Sequence, residues 1–143
     1  QIELPSDFLI GLNINTDTEN GAFLADVTTS NELFKYNGAE RIAVQIAGSA
    51  ANLDLDAGPS FGDNIIIITR ISGVLNLWVD NVLQTGSTPT LTGTALIDAI
   101  GARYGGSGTG NGFDGVIREI QIYDCADVKL VKKVYDSLKR VTD

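Results

Sequence analysis

Asp54, Asp56 and Gly58 fall at the spacing that opens a calcium-binding loop, in which alternate side-chain oxygens turn in on a hard cation. The bidentate acid that closes such a loop is replaced by Ile65, so the match stops halfway. The glycine-rich run from Gly105 to Gly112 has the pliable backbone that wraps phosphates, but it lacks the dinucleotide spacing and the Gly-Lys-Ser/Thr ending of a nucleotide loop. A strand pattern follows it where a helix should stand. Cys125 has no histidine anywhere in the chain to draw off its proton and no second cysteine to pair with, which makes it a small packing residue rather than a nucleophile.

The elements that must position any functional group are mostly strands. From Thr69 to Asn81 the residues alternate, so Leu75, Leu77 and Val79 share one face while Asn76 and Trp78 take the other. Ser72-Gly73 and Asp80-Asn81 bound this strand with residues that tolerate the left-handed backbone of two-residue hairpin turns. Ile65 to Ile68 is an unbroken β-branched run, suited to a central strand covered on both faces. Phe8, Ile10, Leu12 and Ile14 point one way along an early strand expected to pair with another terminal strand.

Ala22 to Thr28 and Arg41 to Ile46 read as further strands, Asn37-Gly38 as a hairpin turn, and Leu53 and Leu55 as a short strand with Asp54 and Asp56 on its opposite side. Gln84 to Thr94 is a loop rich in Thr, Ser and Pro, and Ala95 to Tyr104 returns to the sheet, broken at Gly101. Beyond Asp127 the period becomes helical: Val128, Val131, Val134, Tyr135, Leu138 and Val141 fall on one side, with Asp127 as N-cap. Lys129, Lys132, Lys133, Lys139 and Arg140 lie opposite, a solvated basic strip.

The chain has 143 residues, 43% of them hydrophobic, enough for one self-sufficient core. A net charge of −8 argues against a nucleic-acid groove, which needs clustered Lys and Arg, and leaves room for a cation bound by acids. No apolar run is long enough to span a bilayer and the start has no signal-like segment, so no membrane partner is expected. The absence of methionine and the start at Gln1 suggest a processed piece of a longer polypeptide.

Gly73-Val74-Leu75-Asn76-Leu77-Trp78-Val79-Asp80-Asn81, Ile100-Gly101-Ala102-Arg103, Phe113-Asp114-Gly115 and Ile117 to Asp124, in that order, resemble the concanavalin-A-like lectin/glucanase superfamily. The likeness is to its laminin-G-like form, common in bacterial and phage surface proteins, and spans roughly the last two-thirds of the chain. The resemblance implies an all-β jelly-roll sandwich of two antiparallel sheets with one C-terminal helix. A single domain would cover 1–143, with the sandwich at about 8–124 and the helix at about 127–141. Two departures stand out: Asp63-Asn64 replaces a frequent Trp-His pair, and the turn after Val79 has no glycine.

The resemblance implies a recognition module at the extracellular or virion surface, binding glycan or another cell-surface polymer. A structural role in a phage particle through dimers, trimers or other virion proteins is the alternative. Sugar recognition needs a flat ring to stack on and amides or carboxylates to read hydroxyls, which points to Trp78, Tyr104, Asn111 and Asp114. Trp78 alternates away from the core, where another chain or the helix would cover it. Such domains often bind calcium through loop carboxylates from distant strands, so Asp63, Asp80 and Asp114 are the metal candidates; no other cofactor is implied. Hydrolases of the superfamily carry a close set of acids on one strand, whereas Glu3, Glu19, Glu32, Glu40 and Glu119 are far apart, and histidine is absent as a lyase base. The expectation is a chain without catalytic activity.

Overall fold

Two long strands form the spine of the molecule. In a computed structural model that describes residues 1–16, 20–26, 34–37, 40–57, 62–101 and 113–140, a short β1 (Ile2–Leu4) leads into β2 (Phe8–Thr16). There follow β3 (Asn20–Ala25), β4 (Phe34–Asn37), β5 (Arg41–Ile46), β6 (Ser49–Asp54), β7 (Gly62–Ile71), β8 (Val74–Val79) and β9 (Val82–Leu83). The chain continues through β10 (Ala95–Ile97), β11 (Ala99–Ile100) and β12 (Gly115–Tyr123) to α1 (Val128–Lys139). One five-stranded sheet has the order β12-β2-β7-β8-β9, a second the order β11-β3-β4-β5-β6, and β1 pairs with β10. Every pairing among these strands is antiparallel. This is the expected all-β sandwich with one C-terminal helix.

The early strand does pair with a terminal one: β2 lies between β12 and β7, with Ile10 opposite Ile122 on one side and Ile68 on the other. The isoleucine run explains why β7 is central. Ile66 and Ile68 face the second sheet together with Phe8, Ile10, Leu12, Ile14, Leu75 and Leu77 and pack there with Phe23, Phe34, Ile42 and Val44 of that sheet, while Ile65 and Ile67 face the other way. Val79, Ile120 and Ile122 are partly buried against the same inter-sheet core. The turn residues take the backbone that their types allow: Ser72 and Gly73 have φ of 52° and 82°, and Asp80 and Asn81 have 49° and 66°. The glycine missing after Val79 is thus replaced by Asn81, and Asp80 holds the turn by accepting the Ile65 N–H at 2.9 Å.

Helix α1 packs on the outward side of the first sheet. Asp127 caps it, its carboxylate accepting the Leu130 N–H at 2.8 Å, and Val131, Val134 and Leu138 bury their side chains against Leu9, Ile65, Ile67 and Trp78. Gly11 lets the helix come this close, since a Cβ there would lie 2.8 Å from both Leu138 and Val134. The seat is also polar at one end: Asn13 donates from Nδ2 to the Leu138 carbonyl at 2.9 Å, and Gln121 donates from Nε2 to Ser137 Oγ, also at 2.9 Å.

One buried group lies outside the sequence-based expectations. Arg70, 2% exposed, reaches from β7 into the interior edge, donating to the carbonyls of Leu4, Ser6 and Gly93 and lying 4.9 Å over the Phe8 ring. It ties β1 and the segment before β10 to the sheet. Cys125 also departs from expectation: its thiol is exposed rather than packed. No helix among the described residues is long and apolar enough to cross a membrane.

Candidate binding face

Alternation in β4, β5 and β6 sorts the second sheet into two faces. Phe34, Tyr36, Ile42, Val44, Ile46 and Leu53 turn inward, whereas Lys35, Arg41, Ala43, Gln45, Ala50, Asn52 and Asp54 turn outward. Register lines the outward set into rows: Lys35 beside Ala43 beside Asn52, Gln45 beside Ala50, and Arg41 beside Asp54. Two alanines in adjacent rows leave a floor lower than the longer chains around it. The result is an open trough of about 300 Å³ lined by Lys35, Ala43, Gln45, Ala50 and Asn52.

A second hollow of about 490 Å³ lies next along the same face, lined by Glu40, Arg41, Asp54, Leu55, Asp56, Thr85 and Gly86. Arg41 Nε lies 3.4 Å from Asp54 Oδ1 in its lining. The wall of the hollow is the segment from Gln84 to Ser87, bound along the free edge of β6. Asp54 N–H donates to Ser87 Oγ at 3.1 Å, and that hydroxyl donates to the Asn52 carbonyl at 2.8 Å. Asp56 completes the seam: its carboxylate accepts the Thr85 N–H at 2.7 Å, the Thr85 hydroxyl at 3.0 Å and the Gly86 N–H at 2.9 Å. The Thr85 backbone bond, with those of Gly86 and the hydroxyl, holds the Asp56 carboxyl below the usual range. Asp56 therefore serves a wall of backbone amides and Asp54 an arginine, rather than a shared cation.

The candidates read from the sequence lie elsewhere. Trp78 is corrected: it is 8% exposed, its ring enclosed by Leu9, Ile65, Ile67, Val131, Val134 and Leu138, so neither face is open to a sugar. The helix covers it. Tyr104 and Asn111 lie outside the described residues, as does the run from Gly105 to Gly112. Asp114 is exposed at the start of β12, where its carbonyl accepts the Thr16 hydroxyl at 3.1 Å.

Asp63 and Asp80 do share one hollow of about 170 Å³, with Asn13, Asn64, Ile65, Tyr135 and Lys139. Their surroundings do not suit calcium. Asp63 Oδ1 is bonded to Asn15 Nδ2 and to Arg118, each at 2.8 Å, and these bonds hold its carboxyl below the usual range, the Asn15 bond foremost. Asp80 is spent on the Ile65 amide, and Lys139 lines the same space. Among the described residues no three acids, cysteines or histidines gather into a metal-holding group. Lys35, Gln45 and Asn52 were missed, though the period-two pattern of Arg41, Ala43 and Gln45 already set a polar and small face apart from Ile42, Val44 and Ile46.

No family model matches the sequence, and no curated protein matches it. Solved structures do share its fold. A protein of Bacteroides ovatus described as a candidate carbohydrate-binding protein superposes with a TM-score of 0.66 at 17% identity, over 91% of this chain and 40% of its own. A mutant of Trypanosoma rangeli sialidase displaying trans-sialidase activity gives 0.64 at 14% identity, and the sialidase in complex with sialic acid gives 0.57 at 10%. Both matches cover 96% of this chain and 24% of the sialidase. The chain thus spans less than half the length of each of these neighbours, at identities that establish the fold alone. The sialidases overturn one expectation: this sandwich occurs within enzyme chains, so scattered glutamates and missing histidines do not exclude catalytic activity.

Proposed function

We propose that the chain is a glycan-recognition module, a laminin-G-like sandwich of the concanavalin-A-like superfamily carried at the extracellular or virion surface as part of a larger protein. The observation that carries this reading is the outer face of β4 to β6, on which no other element packs among the described residues and where an alanine floor is framed by Lys35, Gln45 and Asn52. A sugar ring presents just this mixture, with apolar C–H faces for the floor and equatorial hydroxyls for the amides. The fold shared with a candidate carbohydrate-binding protein, and the fraction of that longer chain covered, support it.

A glycan array tests the reading. The wild-type protein binds at least one glycan class, and Gln45→Ala weakens that binding by about threefold to tenfold, the worth of one or two hydrogen bonds. Filling the trough with Ala43→Arg abolishes it while thermal stability stays near wild type. Loss with Tyr104→Ala but not with either trough variant moves the site away from this face, and silence on every glycan refutes the function.

A further inference from the structure

We infer that the ligand is an extended oligosaccharide gripped along its length, running parallel to β5 and β6, rather than a terminal sugar held in a closed pocket. This rests on the glycan reading above and adds the shape of the glycan. The trough and the second hollow follow one another along a single face, since the Arg41 and Asp54 row that lines the second lies next after the Ala43 and Asn52 row that lines the first. From the Gln45 row to the Arg41 row is four residues of strand, about 13 Å, before the space over Glu40, Asp56 and Thr85 is added. That exceeds a single sugar ring.

The two stretches also differ in chemistry along one path. The upper stretch has an apolar floor and amide rims, suited to ring faces and hydroxyls. The lower stretch has the Arg41 and Asp54 pair as its threshold and a wall set by Thr85 and Gly86, suited to reading polar substituents on a unit farther along the chain. The wall stands on the β6 side and is pinned there by Ser87 and Asp56. Arg41 and Asp54 are the specificity determinants of the distal unit, and Gln45 and Asn52 those of the proximal one.

Calorimetric titration with cello-, xylo-, manno- and polyuronate oligosaccharides, each from mono- to hexasaccharide, tests this. For the series that binds, affinity rises at least tenfold from the monosaccharide to about the tri- or tetrasaccharide and is level beyond. Arg41→Ala combined with Asp54→Ala removes that gain. These side chains are 57% and 40% exposed, and circular dichroism checks that the variant keeps its fold. A monosaccharide bound as tightly as its hexasaccharide overturns the extended-chain inference and leaves the glycan function standing. A length gain that survives the double variant overturns the assignment of the distal subsite. No binding at any length removes the glycan reading and the inference with it.

Discussion

The two sheets of this sandwich share one interior and have opposite exteriors. The outward side of the first carries Leu9, Ile65, Ile67 and Trp78 and is closed by α1. The outward side of the second carries Lys35, Ala43, Gln45, Ala50 and Asn52 and has no helix on it among the described residues. Large apolar residues at alternate positions demand a cover, and the chain supplies it with its last element; small and polar residues at the same register demand none. A face left open at no hydrophobic cost is the one free to meet a ligand.

The largest test of that contrast is Trp78→Ala. Removing a ring held beneath the helix should cost about 3 to 5 kcal/mol by chemical denaturation, while binding by the still-folded protein stays at wild-type affinity. An exposed, ligand-stacking tryptophan would give the reverse, with unchanged stability and lost binding. Gly11→Val comes next: its side chain would strike Leu138 and Val134, and the helix can accommodate it only by lifting, at about 1 to 3 kcal/mol. A rise in exposed tryptophan fluorescence should accompany the loss.

The contrast was half legible in the sequence. The isoleucine run, the Ser72-Gly73 and Asp80-Asn81 turns and the helical period after Asp127 are local signals, and local backbone preference decided each of them. Trp78 was ambiguous because alternation tells which face a residue takes but not what covers that face. The trough was not read because its residues are individually ordinary. Ala43 and Ala50 become a floor only through the register that sets them in adjacent rows, and register belongs to strand pairing rather than to either strand alone. Arg70 was hidden likewise, a cation on the inward side of β7 whose carbonyl partners come from residues more than twenty positions away.

The helix cap tests the covered side more gently. Asp127→Ala deletes the acceptor for the Leu130 N–H and should cost about 1 kcal/mol, seen as a lower denaturant midpoint with the slope unchanged. No comparable substitution on the open face, such as Gln45→Ala, should move the midpoint at all. If it does, the trough is part of the packing and not a surface.

The smallest effect separates interior from exterior by titration. Tyr36 lies on β4 beside Lys35 but points inward, 3% exposed, and burial, with the charge of Asp80, pushes its phenol up to about 12. A folded pKa above the unfolded value of about 10 means that the unfolded chain releases its proton first, so the stability held below pH 10 is lost as pH rises toward 12. Tyr36→Phe keeps the ring against Phe23, at 4.9 Å between centroids, and removes the titrating group. Unfolding followed across that interval should therefore show a shallower decline for the variant than for wild type. Equal slopes would mean that the Tyr36 hydroxyl titrates as freely as a surface phenol, and the division of β4 into a sealed side and a solvent side would fail at that residue.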